Sequence, residues 1–195
     1  MKLIDTVPQF KIVSESLKSN NMNSNDIDEN LVHKIDSKYY TCQEYLKIKN
    51  DKNNFKIYHS NVNGISSHFD TLNEFIVQSQ LEFDAICISE TSLATDNHLS
   101  KNDQFNNYSK PFTTNTLSSK GGVAIYIKNN VTDYCNERED LKICTKEYEA
   151  VWIEIKKPKT KNMIIGCIYR HPHYQNLDDF YEYMNKYLKK LSKEN

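Results

Sequence analysis

The spacing of apolar positions along this 195-residue chain changes near residue 55. Residues 14–54 are mostly polar, and the tract "SNNMNSNDIDEN" holds too few apolar side chains to offset the entropy lost on ordering. Residues 1–54 therefore read as a largely flexible leader, in which "SKYYTCQEYLKIK" is the one candidate helix, with Tyr40, Tyr45 and Leu46 on one side. From Phe55 onward, short runs rich in β-branched and aromatic residues are separated by polar loops. Their order predicts strand, helix, strand, loop, three strands and a final helix. The strands are Phe55 to Asn61, Asp84 to Ser89, Val123 to Lys128, Glu149 to Ile155 and Met163 to Arg170. Helical spacing of Phe69, Leu72, Phe75 and Ile76 predicts a helix over Phe69 to Gln80. A stripe of Leu177, Phe180, Tyr181, Met184, Leu188 and Leu191 predicts another over Leu177 to Leu191, capped by Asn176. "DAICIS" is apolar almost throughout, as a strand covered on both faces must be, whereas "VWIEI" alternates and so has one wetter face. The class that follows is α/β or α+β, a sheet core with helices outside.

Composition narrows what such a domain does. The chain is 38% hydrophobic and 11% aromatic, enough for the core of one ordinary domain with an appendage. Its 25 Lys and Arg against 26 Asp and Glu give a formal charge of -1, so no global basic field exists and any nucleic-acid contact is local. The five cysteines, Cys42, Cys87, Cys135, Cys144 and Cys167, are odd in number and form no C-x-x-C pair. That argues against a disulfide framework, a thiol zinc site or a disulfide-linked partner, and for a reducing compartment. Cys87 and Cys167 lie inside apolar runs and read as small core residues. With no apolar stretch long enough for a signal peptide or a membrane span, the chain reads as soluble and intracellular, without a membrane partner.

Polar residues gather where predicted strands end. Asn61 and Asn63 close the first strand in "HSNVNGI", Glu90 follows "DAICIS", and Tyr169 and Arg170 end "NMIIGCIYR". Asparagine and glycine are poor strand residues, so something other than strand stability placed them in "SNVNG". A carboxylate that holds a hard divalent cation, amides that orient water or phosphate, and a phenol that bonds a phosphate oxygen suit phosphodiester hydrolysis. Each residue also has a plainer reading. A glutamate after a strand serves as a solvated loop residue or a helix cap, Asn-Gly makes a turn, and Tyr169 is one of 13 tyrosines. His171 and His173 in "RHPHY" adjoin Tyr169 as candidate base or metal ligands, though Pro172 between them marks a rigid loop. His59 reads as a half-buried strand residue, while His33, His68 and His98 have no evident partner. Gly121-Gly122 reads as a turn feeding a strand, because no phosphate-loop lysine follows. Lys186, Lys189, Lys190 and Lys193 form a solvated helix face or a DNA-phosphate contact, and Trp152 packs in the core or stacks a base.

A family resemblance adds weight to the hydrolytic reading. "SNVNG", then a helix, then "FDAICISETSL" resembles the opening of the endonuclease/exonuclease/phosphatase superfamily. "KGGVAIYIKNNV", "YEAVWIEI", "IIGCIYRHP" and the helix "FYEYMNKYLKKL", in that order, are similar more narrowly to the endonuclease domain of non-long-terminal-repeat retrotransposons. The resemblance covers about Phe55 to Leu191, and "SKYYTCQEYLKIK" is similar to the leader before such domains. It implies a deoxyribonuclease-like four-layer fold, a β-sandwich of two sheets flanked by helices, with the region 55–195 as a partial domain.

The resemblance also assigns roles. Asn61 matches the active-site asparagine that orients the scissile phosphate and water, Glu90 the glutamate that holds Mg²⁺ (or Mn²⁺), and Tyr169 the tyrosine that contacts phosphate. Asn63 falls at a metal-site position where many members carry Asp, and Arg170 and His171 become candidate phosphate or DNA contacts. Implied partners are DNA and, in a complete element, a reverse transcriptase in the same chain, with the nucleus as place of action. The family's remaining catalytic motifs, similar to "GDFN" and "SDH", occur nowhere in this sequence. The sequence therefore reads as an N-terminal part whose C-terminal half is missing, with little catalysis and poor solubility expected of it alone. The alternative is a catalytically inactive remnant that at most binds nucleic acid or a protein. Another superfamily activity, phosphatase or sphingomyelinase, shares the same site residues.

Overall fold

The computed structural model describes residues 10–14, 36–40, 55–80, 82–93, 104–114, 120–159 and 161–194, the first two ranges by backbone alone. The chain divides into two compact units, Met1–Asn50 and Asp51–Asn195. In the first, strand β1 (Phe10–Ser14) pairs antiparallel with β2 (Asp36–Tyr40), Phe10 opposite Tyr40. "SKYY" is thus strand rather than the start of a helix, in keeping with the β preference of paired tyrosines. The rest of that candidate helix, including Tyr45 and Leu46, lies outside the described residues.

The second unit holds two four-stranded sheets. In the first, β3 (Ile57–Asn61) runs parallel to β4 (Ala85–Ser89), joined to it through helix α1 (Ile65–Gln78). Beyond β4 come β6 (Val123–Ile127) and β5 (Phe112–Thr113), both antiparallel to their neighbours. In the second sheet, β10 (Met163–Arg170), β9 (Tyr148–Ile155) and β7 (Cys135–Glu137) lie side by side, and β8 (Ile143–Cys144) also pairs with β9. The one-turn helix α2 (Asn129–Thr132) follows β6, and α3 (Leu177–Leu191) closes the unit.

Alternation along the strands builds the layers, since every second side chain points the same way. Ala85 and Cys87 of β4 and Val123, Ile125 and Ile127 of β6 meet Val151, Ile153 and Ile155 of β9 and Ile165 and Cys167 of β10 in one buried cluster. That cluster is the interior of a sandwich. On the outer face of the first sheet, Phe69 of α1 meets Phe105 at 4.7 Å between ring centroids, and Phe105 meets Tyr126 of β6 edge-on at 4.8 Å. On the outer face of the second, Trp152 and Ala150 pack with Leu141 and with Tyr183 of α3. Helix, sheet, sheet and helix make the four layers expected.

"VWIEI" has one wetter face, as its alternation predicts, but even there Trp152 is only 6% exposed because α3 covers it, and its indole N–H donates to the Tyr183 hydroxyl at 3.4 Å. Glu154, the alternating polar residue, is only half-buried and accepts from Asn162 at 2.9 Å while pairing with Lys156 at 3.1 Å. The first helix begins four residues earlier than its apolar spacing implied. Its opening Ile65 N–H donates to the Thr91 carbonyl at 2.9 Å, a cap supplied by a distant loop that no local side chain announces.

The remaining elements follow from local chemistry. Asn176 caps α3 by accepting from the Asp178 N–H at 3.2 Å, and Asp178 and Asp179 then Lys189 and Lys190 complement the helix dipole. Lys190 is engaged by Asp140, which Arg138 also grips at 2.7 Å, so this part of the basic helix face is tied into ion pairs. These contacts hold Asp140 well below the usual carboxylate range, the Arg138 hydrogen bonds first. Cys87 and Cys167 are buried as core residues, and Cys135 and Cys144 are also free thiols. Among the described residues no helix is long and apolar enough to cross a membrane.

Gly166 of β10 stands opposite Trp152 in the ladder, and a Cβ there would lie 2.4 Å from the indole Cε3. Because Tyr183 holds the indole from the other side, Gly166→Ala is expected to cost about 1–3 kcal/mol by overpacking, read as a lower urea midpoint with unchanged slope. An unchanged midpoint would show that the indole yields.

Candidate active site

The parallel pairing of β3 and β4 sets the two strand ends side by side, with Asn61 opposite Ser89. Three backbone bonds then zip the following loops together: Val62 N–H to Ser89 O at 3.1 Å, Gly64 N–H to Glu90 O at 2.7 Å, and Ile65 N–H to Thr91 O at 2.9 Å. The Asn61 and Glu90 side chains meet as a result, the Asn61 amide donating to Glu90 Oε1 at 2.6 Å. Asn61 Oδ1 accepts from the Asn63 N–H at 3.3 Å, an Asx turn that fixes the amide's orientation.

The turn carrying Glu90 is strained. Glu90 and Ser92 adopt left-handed backbone, φ 57° and 54°, which costs on the order of 1–3 kcal/mol per non-glycine residue. A second loop holds the turn in place: Thr91 N–H donates to Gly122 O at 3.1 Å and Ser92 N–H to Gly121 O at 2.7 Å. Gly121 and Gly122 have φ 102° and 85°, and a Cβ on Gly122 would fall 2.3 Å from Thr91 Oγ1. The glycine pair is therefore a turn, as expected, whose closeness to Thr91 allows it to support the Glu90 loop.

Tyr169 reaches the same place from the other sheet. Its phenol is pushed up to about 12, first by burial, then by the neighbouring Glu90 carboxylate and by the charge of Glu149. Tyr169 also meets the His171 ring edge-on at 4.9 Å and 71°. Asn61, Glu90 and Tyr169, from three separate sequence regions, thus come to one place, the first two joined by a hydrogen bond.

The other candidates divide. Asn63 joins through its backbone, at φ 46°, and its side chain is exposed. Arg170 turns away, its Nη1 donating to the Tyr174 carbonyl at 2.8 Å. His59 is half-buried, its Nε2 lies 3.4 Å from the Ser89 hydroxyl, and burial pushes its pKa down. Trp152 is a core residue, not a surface platform. Among the described residues no cluster of three or more His, Cys, Asp or Glu side chains gathers to hold a metal. Glu90 and its amide neighbours nevertheless offer oxygen donors of the kind that suit a divalent cation completed by water and phosphate.

Sequence reasoning passed over Glu149, Thr114 and Thr91. Glu149 is fully buried, accepts at Oε2 from the Gly122 N–H at 2.5 Å and from the Thr114 hydroxyl at 3.1 Å, and lies beside His171. The available signal was its parity in "YEAVWIEI", where it shares a strand face with Val151, Ile153 and Ile155.

No protein-family model matches the chain, and no curated protein matches it. Among solved structures, the AP endonuclease LMAP from Leishmania major is similar at TM-score 0.50 and 14% identity, over 66% of this chain and 44% of that one. The catalytic domain of Xenopus laevis APE2 is similar at TM-score 0.39 and 18% identity, over 60% of this chain and 45% of that one. The fold is that of the Leishmania AP endonuclease, a deoxyribonuclease-like sandwich, and the chain spans less than half the length of either structure.

Replacing Glu90 by Gln removes a negative charge from beside the phenol, so the phenolate is opposed less. Tyr169 should then titrate below about 12, toward the ordinary value of 10.0, as read from its ring ¹³Cζ shift. A Tyr169 titration identical in both proteins would separate the two groups.

Proposed function

We propose that this chain is the N-terminal part of a Mg²⁺-dependent DNA endonuclease domain of the non-long-terminal-repeat retrotransposon type, nicking target DNA by phosphodiester hydrolysis. The observation that carries the reading is the Glu90 carboxylate receiving the Asn61 amide at 2.6 Å, with the Tyr169 phenol brought beside it from the other sheet. A carboxylate, an amide and a phenol at the ends of sheet strands match phosphodiester chemistry, and the motif order quoted above narrows the reading to DNA.

Mg²⁺ or Mn²⁺ would be held by Glu90, with Asn63 the second candidate ligand, and when bound it would offset charge on the phosphoryl oxygens. The chain's own residues do the rest. The Asn61 amide, fixed at both ends, orients the phosphate and the attacking water. The Tyr169 phenol keeps its proton up to about pH 12 and so stays a hydrogen-bond donor to a phosphate oxygen at neutral pH. Water forms a new P–O bond as the ester P–O bond breaks. DNA is the substrate class, a reverse transcriptase in the same chain is the companion activity, and the nucleus is the place of action.

The test is nicking of supercoiled plasmid by the longer polypeptide that carries this domain, with Mg²⁺ present. Glu90→Ala should lower the rate on the order of a thousandfold, because several kcal/mol of charge stabilisation is lost. Unaltered nicking sinks the assignment.

A further inference from the structure

One buried ionisable group has no part in the reading above. Glu149 stands opposite Tyr169 in the β9–β10 ladder and is 0% exposed. Burying a carboxylate is costly by several kcal/mol unless its oxygens are met. Oε2 is met twice, by the Gly122 N–H and the Thr114 hydroxyl. Oε1 is buried without a hydrogen-bond partner, and the His171 Nε2 lies 3.5 Å from it.

The surroundings are shaped for this pair. A Cβ on Gly121 would lie 2.5 Å from His171 Cε1, 2.9 Å from its Nε2 and 3.1 Å from Glu149 Oε1, so ring and carboxylate meet in space that a glycine leaves open. The ring also meets Tyr169, whose phenol lies beside Glu90. The His171 side chain is 15% exposed, enough for one ring atom to meet a ligand.

We propose that Glu149 is the positioning residue of this site. Through Oε2 it fixes the Gly121-Gly122 loop that supports the Glu90 turn, and through Oε1 it orients His171 so that Nδ1 meets a phosphodiester oxygen. This rests on the phosphodiester reading. A carboxylate facing Nε2 selects the Nε2–H form of the ring, as carboxylates do for oriented histidines. The Nδ1 edge is then left for the phosphate, and a hydrogen bond to a phosphate oxygen there needs a proton from solvent on Nδ1.

The experiment uses the full chain with ¹⁵N-labelled histidine, followed by long-range ¹H–¹⁵N NMR during titration with inorganic phosphate. The His171 ring, identified by its loss in His171→Ala, should carry its proton on Nε2 and gain one on Nδ1 as phosphate is added. In Glu149→Gln the amide carbonyl keeps the Gly122 and Thr114 bonds while its NH₂ faces Nε2, so the resting proton should move to Nδ1. His171→Ala should weaken phosphate binding about tenfold. An unchanged tautomer in Glu149→Gln, or unchanged phosphate affinity in His171→Ala, overturns the inference. Phosphate shifts at the Asn61 amide and Tyr169 ring with His171 silent overturn it alone. Silence at all three overturns the phosphodiester reading with it.

Discussion

The candidate site depends on two sheets pressed face to face. The inward residues of β4 and β6 interlock with those of β9 and β10, and each buried aliphatic side chain contributes about 1.5–3 kcal/mol. This dry contact fixes how β10 lies against β4, and Tyr169 is simply the next inward residue after Ile165 and Cys167. Its ring completes the core while its hydroxyl emerges at Glu90. Glu149 continues the inward face of β9 in the same way. Hydrophobic packing therefore does the positioning, and the polar residues occupy the ends of rows that apolar residues define.

At those ends the backbone carries strain that no local preference would choose. Left-handed Glu90 and Ser92 bracket the buried Thr91, and their turn persists because its groups are bonded on two sides. The carbonyls of Glu90 and Thr91 accept from Gly64 and Ile65, so the bonds that open α1 also fix the turn. The N–H groups of Thr91 and Ser92 donate into the glycine loop, which the buried Glu149 holds in turn. The helix end and the candidate site thus share the same backbone bonds at Glu90 and Thr91. This coupling is how a scaffold holds a carboxylate and an amide 2.6 Å apart on otherwise exposed loops.

Much of the fold was legible because its elements are strongly patterned. The apolar runs of β4 and β6 are buried at every residue, and the stripe and cap of α3 fall where Leu177 to Leu191 and Asn176 placed them. Short elements escaped. Two- and three-residue strands such as β5, β7 and β8 carry no period to detect and exist only because β6 and β9 offer them an edge. The alternation in "VWIEI" locates its wetter face at Glu154 but does not show that α3 covers Trp152 on that face, because alternation reports polarity and not cover.

The sequence by itself marked Asn61, Glu90 and Tyr169 as polar side chains that end apolar runs. It determined the strands and helices that carry them, because hydrophobic period is a local property. Only the tertiary structure decided that the three meet, that Arg170 turns away, and that Glu149 is a fully buried acid beside His171. Those facts depend on strand register and sheet packing between residues as far apart as 61 and 169, distances along the chain over which no local pattern carries information.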